Sequence, residues 1–238
     1  MSGPLAAAGP SIYWYLTRST GAVALLLLTL AIALGVADVE RWSTPRFPRF
    51  VIDTLHRNVS LLAMVFLVLH ILTSVLDSFA PISLIDAFVP FVGTYRPFWL
   101  GLGAVAFDLL LAVIFTSLLR QRMGYASWRA VHWLTYASWP IALLHGFGTG
   151  SDVKTTWLLV LSIGCLAIVI AAVLTRVLSG WPENLPRRGA ALGGAAAFSL
   201  FLALWLPSGP FGSEWARRSG TPSSLLHHAH TSSSGGHR

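Results

Sequence analysis

Hydrophobic residues fall in six long runs separated by short polar segments. The runs are about Tyr13–Val36, Leu55–Leu76, Phe98–Leu119, Ala130–Phe147, Trp157–Leu178 and Ala190–Leu206. A stretch of about 20 apolar residues, wound as a helix, matches the roughly 30 Å hydrocarbon core of a bilayer. The pattern therefore predicts an all-α, polytopic membrane bundle of six transmembrane helices. The first run is too long for a cleaved signal, and basic residues follow it. Asp38–Asp53 reads as a basic loop. Asp77–Arg96 is itself apolar in part (ISLIDAFVPFVG) and suits the membrane interface. The expected divisions are residues 1–12 as an N-terminal segment, 13–178 as the main transmembrane domain, 179–206 as a loop and sixth helix, and 207–238 as a disordered Ser/Gly/His-rich tail.

Composition strengthens this picture. Hydrophobic residues make up 55% of the chain and charged ones only 11%, against about a quarter charged in ordinary soluble proteins. The net charge of +7 does not point to nucleic acid, because the basic residues sit in loops beside the spans. Arg41, Arg46, Arg49, Arg57, Arg120, Arg122, Arg129, Arg176, Arg187 and Arg188 all lie on the side of the loops after spans one, three and five. The positive-inside rule makes that side cytoplasmic and places both termini outside the cell membrane. Cys165 is the only cysteine, so no intrachain disulfide forms.

Four ionisable residues then stand out inside the apolar runs. Span two carries His56 and His70, fourteen apart, and span four carries His132 and His145, thirteen apart. Intramembrane ionisable residues are rare and usually functional. Fourteen residues of helix separate two side chains by roughly 21 Å and rotate them by roughly 40°, so His56 and His70 share a face at opposite depths. Thirteen residues leave His132 and His145 about 140° out of phase. Pro140 lies between them, and a distortion there is expected to restore a common face. The loop charges make spans two and four parallel. His56 then pairs with His132 on the inner side, and His70 with His145 on the outer side. Neutral imidazole is a common ligand of heme iron, and two on one iron fill both axial positions. Such iron suits electron transfer rather than oxygen binding. Two hemes between helices two and four would form a path across the bilayer. Heme propionates call for cations. Arg18 is the outer candidate, with Arg129 and, less favoured, Arg57 on the inner side; each also reads as a snorkelling or topogenic arginine. Phe66, Tyr136 and Trp139 lie in depth between the histidine layers. Asp108, near the middle of span three, reads as a structural polar contact. His227, His228, His230 and His237 read as part of a solvated tail.

These residues resemble the ferric reductase-like transmembrane domain family, which includes NADPH oxidases, ferric reductases and the heme-binding membrane subunit of the periplasmic methionine sulfoxide reductase system. The resemblance rests on the two histidine spacings and on the stretches HRNVSLL and RAVHWLTYASWPIALLHG. It covers about Tyr13–Leu178. It implies b-type heme and electron flow from inside to outside. The large members carry a flavin and nicotinamide domain, but no phosphate-binding glycine motif follows the last span here. The expected role is therefore an oxidoreductase electron-transfer subunit. It would need a separate donor, a flavoprotein reductase or quinol, and an outer-side acceptor protein or small molecule. The competing class is a heme-free, proton-coupled transporter or ion-pathway protein using Asp108 and the histidines. A third reading is a heme-dependent assembly or sensor subunit.

Overall fold

A computed structural model describes residues 11–42, 48–179 and 184–226. Within them the chain is helical, with no strand. The helices are α1 (Ile12–Val39), α2 (Arg49–Leu76), α3 (Pro97–Leu118), α4 (Arg120–Met123), α5 (Tyr125–His132), α6 (Leu134–Thr149), α7 (Thr156–Leu178), α8 (Leu185–Ser208) and α9 (Trp215–Arg218), with a 3₁₀ turn at Leu84–Ala87. Five of them, α1, α2, α3, α7 and α8, are long and apolar enough to cross a membrane. Large apolar side chains such as Leu61, Phe115, Val160 and Leu204 are exposed on the bundle surface. In water they would be a liability; against lipid they cost nothing. The protein is a multi-pass membrane protein.

Local chemistry explains the ends. The Ser11 hydroxyl accepts the Trp14 N–H at 3.0 Å and caps α1. Pro97 opens α3 at a position where no N–H is needed. Asn184, in the left-handed region, precedes α8, whose first turn contains Pro186. Three expectations shift here. The basic loop after the first span is shorter than Asp38–Asp53, because α1 runs to Val39 and α2 begins at Arg49. The sixth helix begins at Leu185 rather than near Ala190, with Arg187 and Arg188 inside it. The tail is not loose from Pro207 onward. Pro207 and Ser208 end α8, and α9 follows. The four tail histidines lie outside the described residues.

The fourth apolar run is broken into α5 and α6 with the join at Trp133. The irregularity thus falls earlier than the expected site, Pro140, which sits within α6. The hydrogen bonds give the reason. The Thr135 hydroxyl takes the His132 carbonyl at 2.8 Å, while the Tyr136 N–H turns to Trp133 O at 3.0 Å in a 3₁₀-type bond. Hydroxyl side chains that capture nearby carbonyls compete with the regular ladder in this way. Pro140 adds a missing N–H one turn later.

Helix α1 packs along α2, and α3 packs along α6, while α7 lies against α1 and carries α8. Helices α2 and α6 scarcely approach each other. The buried core lies to one side of that gap. It joins Ile32, Trp139, Leu143, Phe147, Cys165 and Leu202 from four helices. Trp139 donates its indole N–H to Thr29 Oγ1 at 2.9 Å, a fully buried pair.

Candidate metal centre

The histidines bridge the gap between the two helix pairs. His56 and His132 face each other with ring centres 6.2 Å apart. His70 and His145 do the same, also at 6.2 Å. The same-depth pairing expected from the spacing is therefore present in both layers.

Three of the four rings are anchored alike. His56 Nδ1 donates to Ala31 O at 2.9 Å, His70 Nδ1 to Thr17 O at 2.8 Å, and His145 Nδ1 to Trp99 O at 2.9 Å. The acceptors are carbonyls, so Nδ1 carries the proton and Nε2 is left as the lone-pair nitrogen. This is the usual way a protein orients a metal-binding imidazole. Each acceptor is followed four residues later by glycine: Gly35, Gly21 and Gly103. A Cβ on Gly35 would lie 3.2 Å from the His56 ring, one on Gly21 2.9 Å from His70, and one on Gly103 2.5 Å from His145. Glycine thus opens a socket on the neighbouring helix through which the ring reaches a main-chain oxygen. Sequence reasoning missed these glycines. The signal was present, since Gly21 and Gly35 are fourteen apart, like His56 and His70.

Cavities flank the His70–His145 pair on two sides. One of about 240 Å³ opens between α1, α2, α6 and α7 and includes Arg18, Gly21 and Asp152 in its wall. The other, about 90 Å³, is walled by α2, α3 and the 3₁₀ turn with Asp86 and Phe107. Both histidines line both cavities. A plane drawn between the rings therefore runs from one cavity into the other. The apolar segment after α2 walls both spaces, through Phe79, Ala80 and Ile82 on one side and Ile82, Ser83 and Asp86 on the other.

Among the described residues no three His, Cys, Asp or Glu side chains converge. A bare ion would have only two protein ligands in each layer. Two imidazole nitrogens at about 2 Å from one metal put ring centres about 6 Å apart. The observed spacing fits that in both layers, and the cavities beside His70 and His145 offer space for a macrocycle that would supply the remaining ligands.

The arginines are less uniform. Arg18 Nε lies 2.5 Å from the Asp152 carboxylate, an ion pair at the wall of the larger cavity, and its guanidinium also stacks over Trp14. Arg129 is exposed on α5, its guanidinium 6.0 Å from the Tyr125 ring centre. Arg57 is exposed on α2. Arg96, at the end of the apolar segment that follows α2, is buried, only 5% exposed. Its guanidinium donates to Gly148 O at 3.0 Å and Thr149 O at 3.1 Å, at the C-terminal end of the helix carrying His145. Burial pulls its pKa down from the usual arginine value. The post-α8 segment closes over it. Gly220 O accepts the Arg96 N–H, Thr221 Oγ1 accepts Nε, and Trp215 donates to Gly148 O. Trp99, whose carbonyl holds His145, stacks on Trp205 and lies tilted against Trp215. Asp108 is half-buried on α3 and, among the described residues, makes no ion pair or side-chain hydrogen bond.

A family model for the ferric reductase like transmembrane component matches residues 20–143, just over half of the chain. The chain belongs to this family. Membership implies membrane electron transfer. Searches of curated proteins and of solved structures returned no significant match. The family segment includes His56, His70 and His132 and ends two residues before His145. The place of His145 in the centre thus rests on the geometry of this family member alone.

Proposed function

We propose that this protein is a diheme b-type electron carrier of the membrane, with the broken α5–α6 pair completing a sixth crossing. The observation that carries the reading is the pair of facing histidine couples, 6.2 Å apart in each of two layers. His56 and His132 would hold one heme, His70 and His145 the other. Heme supplies reversible one-electron storage when bound. The chain does the rest. Carbonyls of Thr17, Ala31 and Trp99 fix the ring tautomers, and α1, α3 and α6 exclude water. Arg18, at the wall of the larger cavity, is placed to meet a propionate, exchanging part of its Asp152 contact. Arg129 is the counterpart near His132.

The loop charges place both termini outside and the His56–His132 layer inside. An electron passing outward then moves with the usual inside-negative potential, worth about 2.3 kcal/mol per 100 mV for a full crossing. A separate flavoprotein reductase or quinol would supply electrons, and an outer-side protein or small molecule would take them.

The test is a dithionite-reduced minus oxidised spectrum of purified protein, with heme quantified per chain. Two b-type hemes are expected, falling to about one in His70→Ala or His145→Ala. Folded protein without heme, despite heme supplied during expression, would refute the reading and favour the proton-coupled transporter.

A further inference from the structure

The two histidine layers are not equivalent. Three rings reach a carbonyl beside a glycine four residues further on. On α1 the two sockets, Thr17 with Gly21 and Ala31 with Gly35, are fourteen residues apart. The same step along α3 leads from Trp99 and Gly103 to Val113 and Ser117. There the pattern fails. The Ser117 hydroxyl donates to Val113 O at 2.7 Å and so fills its own socket. Trp128 then donates its indole N–H to Ser117 Oγ at 3.2 Å, which ties α5 to this closed position. The Trp128 ring lies 5.0 Å from that of His132, its neighbour one turn on. His132 Nδ1 is buried and, among the described residues, has no hydrogen-bond partner.

We propose that Ser117 is a positioning residue that withholds the fourth anchor, so that His132 is the ligand that yields and the His56–His132 iron can take a small neutral ligand. This rests on the diheme reading above. The N–H···O bond behind a metal-bound imidazole raises its basicity and fixes its orientation, and losing such a contact typically weakens metal binding 10–100-fold. His56, His70 and His145 have that support. His132 does not. With heme bound, the exchange would be a simple substitution, in which the bond from His132 to the iron would break, a bond to the incoming neutral ligand would form, and no electron would move.

Carbon monoxide titration of the dithionite-reduced, full-length holoprotein tests this, followed by absorbance with heme quantified per chain. One of two hemes should bind carbon monoxide and the other should resist. Ser117→Gly opens the socket, and the half-saturating concentration should rise at least about tenfold. Gly103→Ser transfers the closed socket to His145; its Cβ also crowds the ring, so that layer holds less heme, and the heme it still holds should bind carbon monoxide. Two hemes that bind the gas equally, or that both resist it, would overturn the inference while leaving the diheme reading intact. So would Ser117→Gly behaving as wild type. Should Ser117→Gly not fold, the wild-type ratio and Gly103→Ser still decide. Folded protein with no heme would overturn both readings.

Discussion

Gly103→Ala is the sharpest perturbation of the centre. An added Cβ at Gly103 would sit 2.5 Å from both Nδ1 and Cε1 of His145. Ordinary carbon contact begins at about 3.5 Å, so the ring must move by roughly 1 Å. Its hydrogen bond to Trp99 O is 2.9 Å long, and such a shift breaks it. Loss of one such anchor weakens binding about 10–100-fold, equivalent to roughly 1.4–2.7 kcal/mol. The other two sockets grade the effect. Gly21→Ala meets His70 at 2.9 Å and should be intermediate, whereas Gly35→Ala meets His56 at 3.2 Å, where a shift of a few tenths of an ångström suffices. Gly146→Ala is the control, because nothing lies within 4 Å of its Cβ although it adjoins His145. Heme per chain after detergent purification, with the reduced-minus-oxidised spectrum, reads the series. Retention should fall in the order Gly146→Ala, Gly35→Ala, Gly21→Ala, Gly103→Ala. If Gly103→Ala keeps heme as well as Gly146→Ala does, the sockets are incidental packing.

Three further outcomes follow from the same contacts. Arg96→Met removes a buried guanidinium that two carbonyls at the end of α6 share. Hydrogen bonds to charged groups contribute about 1.5–3 kcal/mol each, so thermal unfolding in detergent should come several degrees earlier. Arg96→Lys should not restore it, because an ammonium lacks the planar fork. Truncation after Ser208 removes the Trp215 and Gly220 contacts over Gly148 and Arg96; heme should be lost from the His70–His145 layer first, seen as a fall from about two hemes per chain toward one. Thr29→Val deprives the buried Trp139 N–H of its partner and should cost about 1–3 kcal/mol, read as a lower unfolding midpoint; an unchanged midpoint would show that the pair is dispensable.

The pairing of histidines was readable because it depends on two periodicities alone, the helix rise and the charge bias of loops. The anchors were not, because a carbonyl carries no side-chain signature. Thr17, Ala31 and Trp99 share nothing as residue types; only the glycine four positions on marks them. The break at Trp133 was hidden for a similar reason. Pro140 is the loud residue in span four, but the disturbance comes from Thr135, a hydroxyl that looks ordinary until its partner carbonyl is known. The ordered segment after α8 misled through composition. Ser, Gly and Pro suggest a loose tail, yet Trp215 and the carbonyl of Gly220 meet Trp99 and the buried Arg96, more than a hundred residues earlier.

How two unlike helix pairs produce equal ring separations has a physical answer in this bundle. On one side α1 and α2 are unbroken and packed along their length. Their histidines and their carbonyl acceptors repeat at the same fourteen-residue step, so both layers are fixed by straight helix geometry. On the other side α3 is straight but its partner is split, and its histidines are thirteen apart. One layer can then be anchored as α2 is, and His145 takes that place against Trp99 and Gly103. The second layer must be reached across the Trp133 break, out of step with α3. There Ser117 closes the socket that His132 would otherwise use, and Trp128 secures the detached helix instead. The unequal anchoring of the two layers thus follows from the closed socket at Ser117. Inserting an alanine between His132 and Trp133 to restore a fourteen-residue step should not by itself anchor His132, because Ser117 still fills the socket, and heme retention under dilution should not rise above that of the unchanged chain. A rise on insertion alone, with Ser117 in place, would show that spacing and not the socket withholds the anchor, and would refute this account.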